Sequence, residues 1–231
     1  MKKSGIVILY FFAGICFIIL QGHLTFTLDI LIKALIIPLL IILLLFNINQ
    51  VSNRLHSFML AGLFFSWAGD VILEFAGKNE NMFVPGLVSF LLAHVMYIMV
   101  FVSTRGKNSI AGPRILLLLP VLIYGVTLVS FLYGGLGAMR LPVIVYAAVI
   151  LTMLSAAINR EEKVNKKSYW LVLTGAILFV ISDSLIAINK FSPGFQSAGI
   201  VIMATYILAQ YLIVTGYIWQ FREQNTSQTM R

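Results

Sequence analysis

"GAILFVISDSLIAINKF", residues 175–191, decides how the rest of the chain is read. On both sides of Asp183 the residues are apolar enough to lie in hydrocarbon, yet a carboxyl stands in their midst between Ser182 and Ser184. A charged side chain at the centre of a bilayer costs about 2.5–3.5 kcal/mol on insertion scales, so intramembrane acids pair with partners or take part in function.

Composition supports the membrane setting. The 231 residues are 60% hydrophobic and 10% charged, with a mean hydropathy of +0.99, a balance that excludes a soluble domain with a polar surface. Runs of roughly 17–25 apolar residues place spans at 4–22, 29–46, 55–75, 82–102, 113–133, 140–158, 168–188 and 197–219. The expected fold is all-α, a polytopic membrane protein of eight transmembrane helices. It forms one transmembrane domain over 1–231, with halves at 1–110 and 111–219 and a short tail at 220–231. The first span starts on "MKK", but "FAGICFIILQGHL" has no small-residue cleavage site, so it is expected to be a retained helix.

Eight spans put both termini on one side. On that side lie Lys2, Lys3, Arg54, Arg105, Lys107, Arg114, Arg160, Lys163, Lys166, Lys167, Arg222 and Arg231; opposite are Lys78, Arg140 and Lys190, and Lys33 falls within span two. Twelve against three places both termini in the cytoplasm by the positive-inside rule. The expected location is the cytoplasmic (inner) membrane of a bacterium. The net charge of +8 is then a topology signal, and no nucleic-acid partner is expected.

Soluble-enzyme motifs are absent from the sequence: there is no Gly-rich phosphate loop and no GxSxG elbow. Cys16 is the single cysteine and cannot form an intrachain disulfide. His23, His56 and His94 fall at the outer end, the cytoplasmic end and the middle of their spans, so they cannot jointly ligate a metal. No metal or cofactor is expected.

Internal repetition is more informative. "GLFFSWAGD" (62–70) and "GAILFVISD" (175–183) share a glycine, seven residues and an aspartate, each about fifteen residues into a span. Spans three and seven run in the same direction, which suits two parallel four-helix halves. At ~1.5 Å per residue, Asp70 and Asp183 stand about 22 Å from the cytoplasmic end, in one layer of the outer half. Lys33 falls near that layer, with Glu74 and Asn189 one to two turns further out. His94 with Tyr97, and Tyr206 with Gln210, share faces of spans four and eight nearer the midplane. One outward-opening polar pocket would pair these groups, with the two carboxyls within about 10 Å. The same residues also suit bland roles. The aspartates could tie helices through Ser66, Ser182 and backbone groups, Lys33 could snorkel, and His94, Tyr97, Tyr206 and Gln210 could be packing donors. Trp67, Trp170 and Trp219 are read as bulk or interfacial anchors.

"FSWAGDVIL" (65–73), "FVPGLVSFLLAHVMYI" (83–98), "VIVYAAVILTM" (143–153), "GAILFVISDSLIAINKF" (175–191) and "TYILAQYLI" (205–213) together resemble the YhhN-type lysoplasmalogenase family of multipass membrane hydrolases. The resemblance runs from about Lys33 to Tyr217. It departs after Lys33, where the family often has proline and this chain has Ala34, with proline only at Pro38. The resemblance implies cleavage of the vinyl ether of a lysoplasmalogen-like lysophospholipid to a fatty aldehyde and a glycerophospho-base. It implies catalytic roles for Asp70 and Asp183, roles for His94 and Tyr97, and lesser ones for Lys33 and Gln210.

The chemistry independently calls for two such groups. Protonating the β-carbon of a vinyl ether creates an oxocarbenium-like cation, to which water adds before the hemiacetal collapses. One carboxyl is expected to keep its proton as general acid while the other stabilises the cation and activates water, with either aspartate able to be the acid. Glu74, Tyr206 and Asn189 complete the expected substrate-binding set with Lys33, His94, Tyr97 and Gln210, and membrane lipids are the surroundings. A small-molecule or proton-coupled transporter is the alternative, since intramembrane acids, His and Lys also build proton relays. A structural subunit without chemistry is the third reading.

Overall fold

The computed structural model describes residues 3–23, 25–47, 54–104, 115–161 and 163–229, with backbone alone at 115, 117 and 222–229. Eight helices follow in chain order: α1 (Lys3–Leu20), α2 (Phe26–Leu45), α3 (Arg54–Ala76), α4 (Phe83–Ser103), α5 (Ile115–Leu132), α6 (Arg140–Ile158), α7 (Lys166–Phe191) and α8 (Ala198–Thr229). Short 3₁₀ turns at Glu80–Met82 and Gly137–Met139 lead into α4 and α6. No strand occurs among the described residues. Seven helices are long and apolar enough to cross a bilayer, and α5 contributes a shorter apolar stretch, Leu118–Leu132. The protein is therefore a multi-pass, all-helical membrane protein. Of the basic residues that set the expected orientation, Lys2, Arg105, Lys107, Arg114 and Arg231 lie outside the described residues.

Asn165 caps α7, its Oδ1 accepting the Ser168 N–H at 2.6 Å. The 26 residues of α7 span about 39 Å, more than a ~30 Å hydrocarbon core, so Lys166 and Lys190 reach the two interfaces. Between α1 and α2 the chain turns at Gly22, whose φ of 79° suits glycine, and Gly22 N–H donates to Asp29 Oδ2 at 3.4 Å.

The chain divides into two compact units, Met1–Tyr97 and Ile98–Arg231, with the division inside α4. In the first, one face of α1 (Ile6, Tyr10, Gly14, Phe17) is buried, whereas Ile8, Phe12, Ile15 and Ile19 stay exposed. Both faces are apolar, as lipid requires of the outward one. Close approach in this unit uses glycines of α3: a Cβ on Gly62, the repeat's glycine, would lie 2.6 Å from the Tyr97 ring, and one on Gly69 would lie 2.6 Å from the Phe90 ring.

In the second unit the corresponding glycine does the same work against the next helix. A Cβ on Gly175 would lie 2.8 Å from Ile213 Cγ1 and 2.9 Å from the Ala209 carbonyl oxygen of α8. One end of this unit is tied by Arg160, which follows α6 and is fully buried. Its Nε donates to Thr104 Oγ1 at 2.9 Å. One terminal nitrogen donates to Gln220 Oε1 at 2.7 Å and Ser168 Oγ at 3.3 Å, while the other has no hydrogen-bond partner among the described residues. Burial lowers Arg160 from its ordinary value to about 10, with Tyr217 acting in the opposite sense. The guanidinium thus stays charged at neutral pH and joins α7 and α8 to the residue that ends α4.

Candidate active site

Helix α7 carries Asp183 17 residues beyond its start (183 − 166), and α3 carries Asp70 16 residues beyond its own (70 − 54). The axial rises are about 26 and 24 Å. Both carboxyls are buried, Asp70 at 4% and Asp183 at 8% exposure.

Successive residues of α7 point about 100° apart, and this separates their partners. Ser182 faces α8, its Oγ donating to the Ile202 carbonyl at 3.1 Å. Asp183 faces α6, and its Oδ2 accepts a hydrogen bond from Tyr146 Oη. Ser184 faces α5: its Oγ accepts from Tyr124 Oη at 2.7 Å and donates to the Val180 carbonyl at 2.6 Å. The serines flanking Asp183 therefore bond elsewhere, and a phenol on the neighbouring helix orients the carboxyl.

Asp183, Tyr146, Tyr124 and Ser184 are the polar elements in the wall of a cleft formed by α5, α6 and α7. Its volume is about 430 Å³ including the open mouth, and Leu128, Val143, Ala147, Ile150 and Val180 contribute apolar wall. A buried cluster of Leu132, Leu136 and Val143, backed by Ala187, Ile188 and Phe191, closes the end toward the α5–α6 turn. An apolar cleft with a few convergent polar groups is the usual form of a small-molecule site. Here the polar group is a carboxyl oriented by Tyr146, able to give, take or stabilise charge in a water-poor setting.

The other expected site residues fall in several places. Within the first unit Lys33 Nζ is 2.9 Å from Glu74 Oε2, an ion pair joining α2 to α3, and lies 5.4 Å from the centroid of the Phe17 ring. Lys33 is thus paired with an acid within its own unit. Beside it, Trp67 Nε1 donates to the Ala34 carbonyl at 2.9 Å, so this tryptophan links two helices. Asp70 shares a face of α3 with Ser66, one turn earlier, whose buried hydroxyl has no hydrogen-bond partner among the described residues. His94 and Tyr97 are fully buried on α4, Tyr97 with its ring against Gly62. In the second unit Gln210 Nε2 donates to Tyr206 Oη at 3.3 Å, and the Tyr206 ring meets Phe179 edge-on at 5.5 Å. This pair belongs to the α7–α8 contact and does not line the cleft. Asn189 is exposed near the end of α7, beside the Gly194 turn, and is also outside the cleft lining. Among the described residues no three His, Cys, Asp or Glu side chains come close enough to hold a metal.

Tyr146 and Tyr124 are not among the expected site residues, and Ser184 enters the sequence analysis only as a neighbour of Asp183. Tyr146 lay within "VIVYAAVILTM", and a tyrosine inside an otherwise apolar span was the available signal, because a buried phenol needs a hydrogen-bond partner. Its partner depends on how α6 is rotated against α7, which that stretch does not encode alone.

Lysoplasmalogenase TMEM86A of Bos taurus is 34% identical over 161 residues, covering 68% of this chain and 63% of the relative. Lysoplasmalogenase TMEM86B of Homo sapiens is 34% identical over 131 residues, 57% of this chain and 52% of the relative. A lysoplasmalogenase of Mycobacterium bovis is 25% identical over 169 residues, 72% of this chain and 62% of the relative. The chain thus spans less than two thirds of the length of each of these relatives. No solved structure matches it. The YhhN family matches over residues 28–217, a stretch that holds both buried aspartates, Tyr146 and the cleft, and the chain belongs to that family.

Proposed function

We propose that this protein is a membrane-embedded hydrolase that cleaves the vinyl ether bond of lysoplasmalogen-like lysophospholipids, releasing a fatty aldehyde and a glycerophospho-base. The observation that carries the reading is the Tyr146-held carboxyl of Asp183 in the wall of an apolar cleft. Family membership and relatives named lysoplasmalogenase support the same reaction class.

In this mechanism a carboxyl proton passes to the vinyl β-carbon, the double-bond electrons form the new C–H bond, and the carbon bearing oxygen becomes an oxocarbenium centre. A carboxylate facing that centre stabilises it and accepts a proton from the adding water. The hemiacetal then breaks its C–O bond, the glycerol oxygen leaves with a proton, and the aldehyde remains. Asp183 and Asp70 are assigned these acid and base roles, and Tyr146 orients Asp183. Lys33, paired with Glu74, can meet a substrate phosphate only by sharing or exchanging that partner, so its replacement should act on KM more than on kcat. Both termini are assigned to the cytoplasm.

The test is to incubate purified protein with lysoplasmalogen and, separately, with its ester-linked analogue. Aldehyde from the vinyl ether is expected. In deuterated water one deuterium should appear at the aldehyde α-carbon, the former β-carbon. Fatty acid from the ester with no aldehyde from the vinyl ether would overturn the reading in favour of an ordinary lysophospholipase.

A further inference from the structure

Along α6 the cleft runs from Val143 to Leu151, eight residue steps, and along α7 from Val180 to Ala187, seven, and is therefore about 10–12 Å long. One leaflet of a ~30 Å hydrocarbon core is about 15 Å deep, so a chain that spans a leaflet is longer than the cleft. One end is stopped by the Leu132, Leu136 and Val143 cluster. Leu122, Ile123 and Val126 of α5, with Ile144 and Val145 of α6, are exposed apolar residues, so the ground outside the mouth is suited to lipid. Asp183 and Tyr146 sit partway along the wall, with apolar lining on both sides.

We propose that this cleft grips only the proximal carbons of a single aliphatic chain, entered sideways from the bilayer, and leaves the methyl end among the membrane lipids. The inference deepens the proposed function by defining how its substrate is chosen, and rests on that reading for the identity of the reacting group. An apolar wall interrupted by one oriented carboxyl selects an amphiphile whose polar atom lies at the root of its chain. A cleft about 12 Å long at most cannot measure the far end. Recognition is therefore tolerant of total chain length and intolerant of bulk near the ether.

Ala147 lines the cleft beside Tyr146 and is half-buried, so a larger side chain there fills the cleft from its mouth. The experiment uses the full chain in nanodiscs with a non-hydrolysable alkyl-ether lysophosphocholine carrying a diazirine, either near the ether or near the methyl end. The proximal probe is expected to label wall residues such as Val143, Ile150 and Leu128, and unlabelled ether lipid should compete. The distal probe should label outward residues such as Ile144 and Leu122, without competition. Ala147→Leu should weaken competition at the proximal site by at least about tenfold, the equivalent of roughly two displaced methylenes. Ala187→Leu on the opposite wall gives a second, independent block should the first variant fold poorly. Proximal labelling confined to outward faces, or unchanged by either block in a folded protein, overturns the inference. Because labelling needs no turnover, specific labelling without aldehyde formation would sink the hydrolase reading and leave the chain site standing.

Discussion

Tyr146→Phe removes a single oxygen from a buried site and leaves the ring in place. The phenol donates to Asp183 Oδ2 between two buried side chains, so its loss withdraws a hydrogen bond from a group that carries charge during the reaction. Such bonds contribute about 1.5–3 kcal/mol, which at about 1.4 kcal/mol per decade corresponds to a roughly 10- to 150-fold fall in kcat. Because the effect falls on the reacting carboxyl and not on the chain-binding wall, KM should stay within about twofold. The assay is aldehyde release from lysoplasmalogen across a range of substrate concentrations, with thermal unfolding in detergent measured in parallel. Tyr124→Phe is the comparison. Its hydroxyl donates to Ser184, which keeps its own bond to the Val180 carbonyl, so less than about threefold should be lost. A folded Tyr146→Phe protein with kcat within threefold of the parent would refute the claim that this phenol positions Asp183. An equal loss in both tyrosine variants would point instead to general loosening of the α5–α7 packing.

Asp70→Asn and Asp183→Asn should each fold and lose about two or more orders of magnitude in aldehyde release, and the double variant should be little worse than the poorer single one if the two carboxyls act as a unit; multiplicative losses would show that they act independently. Arg160→Ala empties a fully buried position and strands the Gln220 carbonyl oxygen, so stability should fall by about 3 kcal/mol, read as a lowered Tm. Since burial lowers Arg160 from its ordinary value to about 10, it is charged in both folded and unfolded states well below pH 10. Its cost is then constant, and only above about pH 10, where the unfolded chain binds more protons than the folded one, does its contribution rise with pH. Gly175→Ala pushes a methyl group against the α8 backbone and should cost about 1–3 kcal/mol, whereas Gly5→Ala, with nothing within 4 Å, should be close to neutral. A cysteine probe at Asn225 on a Cys16→Ser background should react only after the membrane is permeabilised; labelling from outside intact cells would reverse the assigned topology.

The eight apolar helices, seven of them long enough to cross a bilayer, were legible in the sequence because a bilayer imposes a length and a polarity that local composition reports directly. Observed α6 coincides with the expected 140–158, and the other helices differ mainly at their ends. The longest such difference, α8 running on to Thr229, lies beyond the apolar stretch, where composition no longer constrains the helix. Asp70 and Asp183 stood out for the same reason, as acids where apolar residues are the rule, whereas the close helix contacts that Gly62 and Gly175 make emerged only from the structure. What the sequence could not decide was the direction in which each polar side chain points. In lipid both faces of a helix are apolar, so the periodicity that reveals the buried face of a soluble helix is faint, and α1 shows how little separates Ile6 and Tyr10 inside from Ile8 and Phe12 outside. Helix rotation is set by packing of small residues and by a few hydrogen bonds between elements distant in sequence. That packing alone turned Ser182 toward α8 and Asp183 toward Tyr146 and the cleft, paired Lys33 with Glu74, and left Tyr206 and Gln210 on the far side of α7.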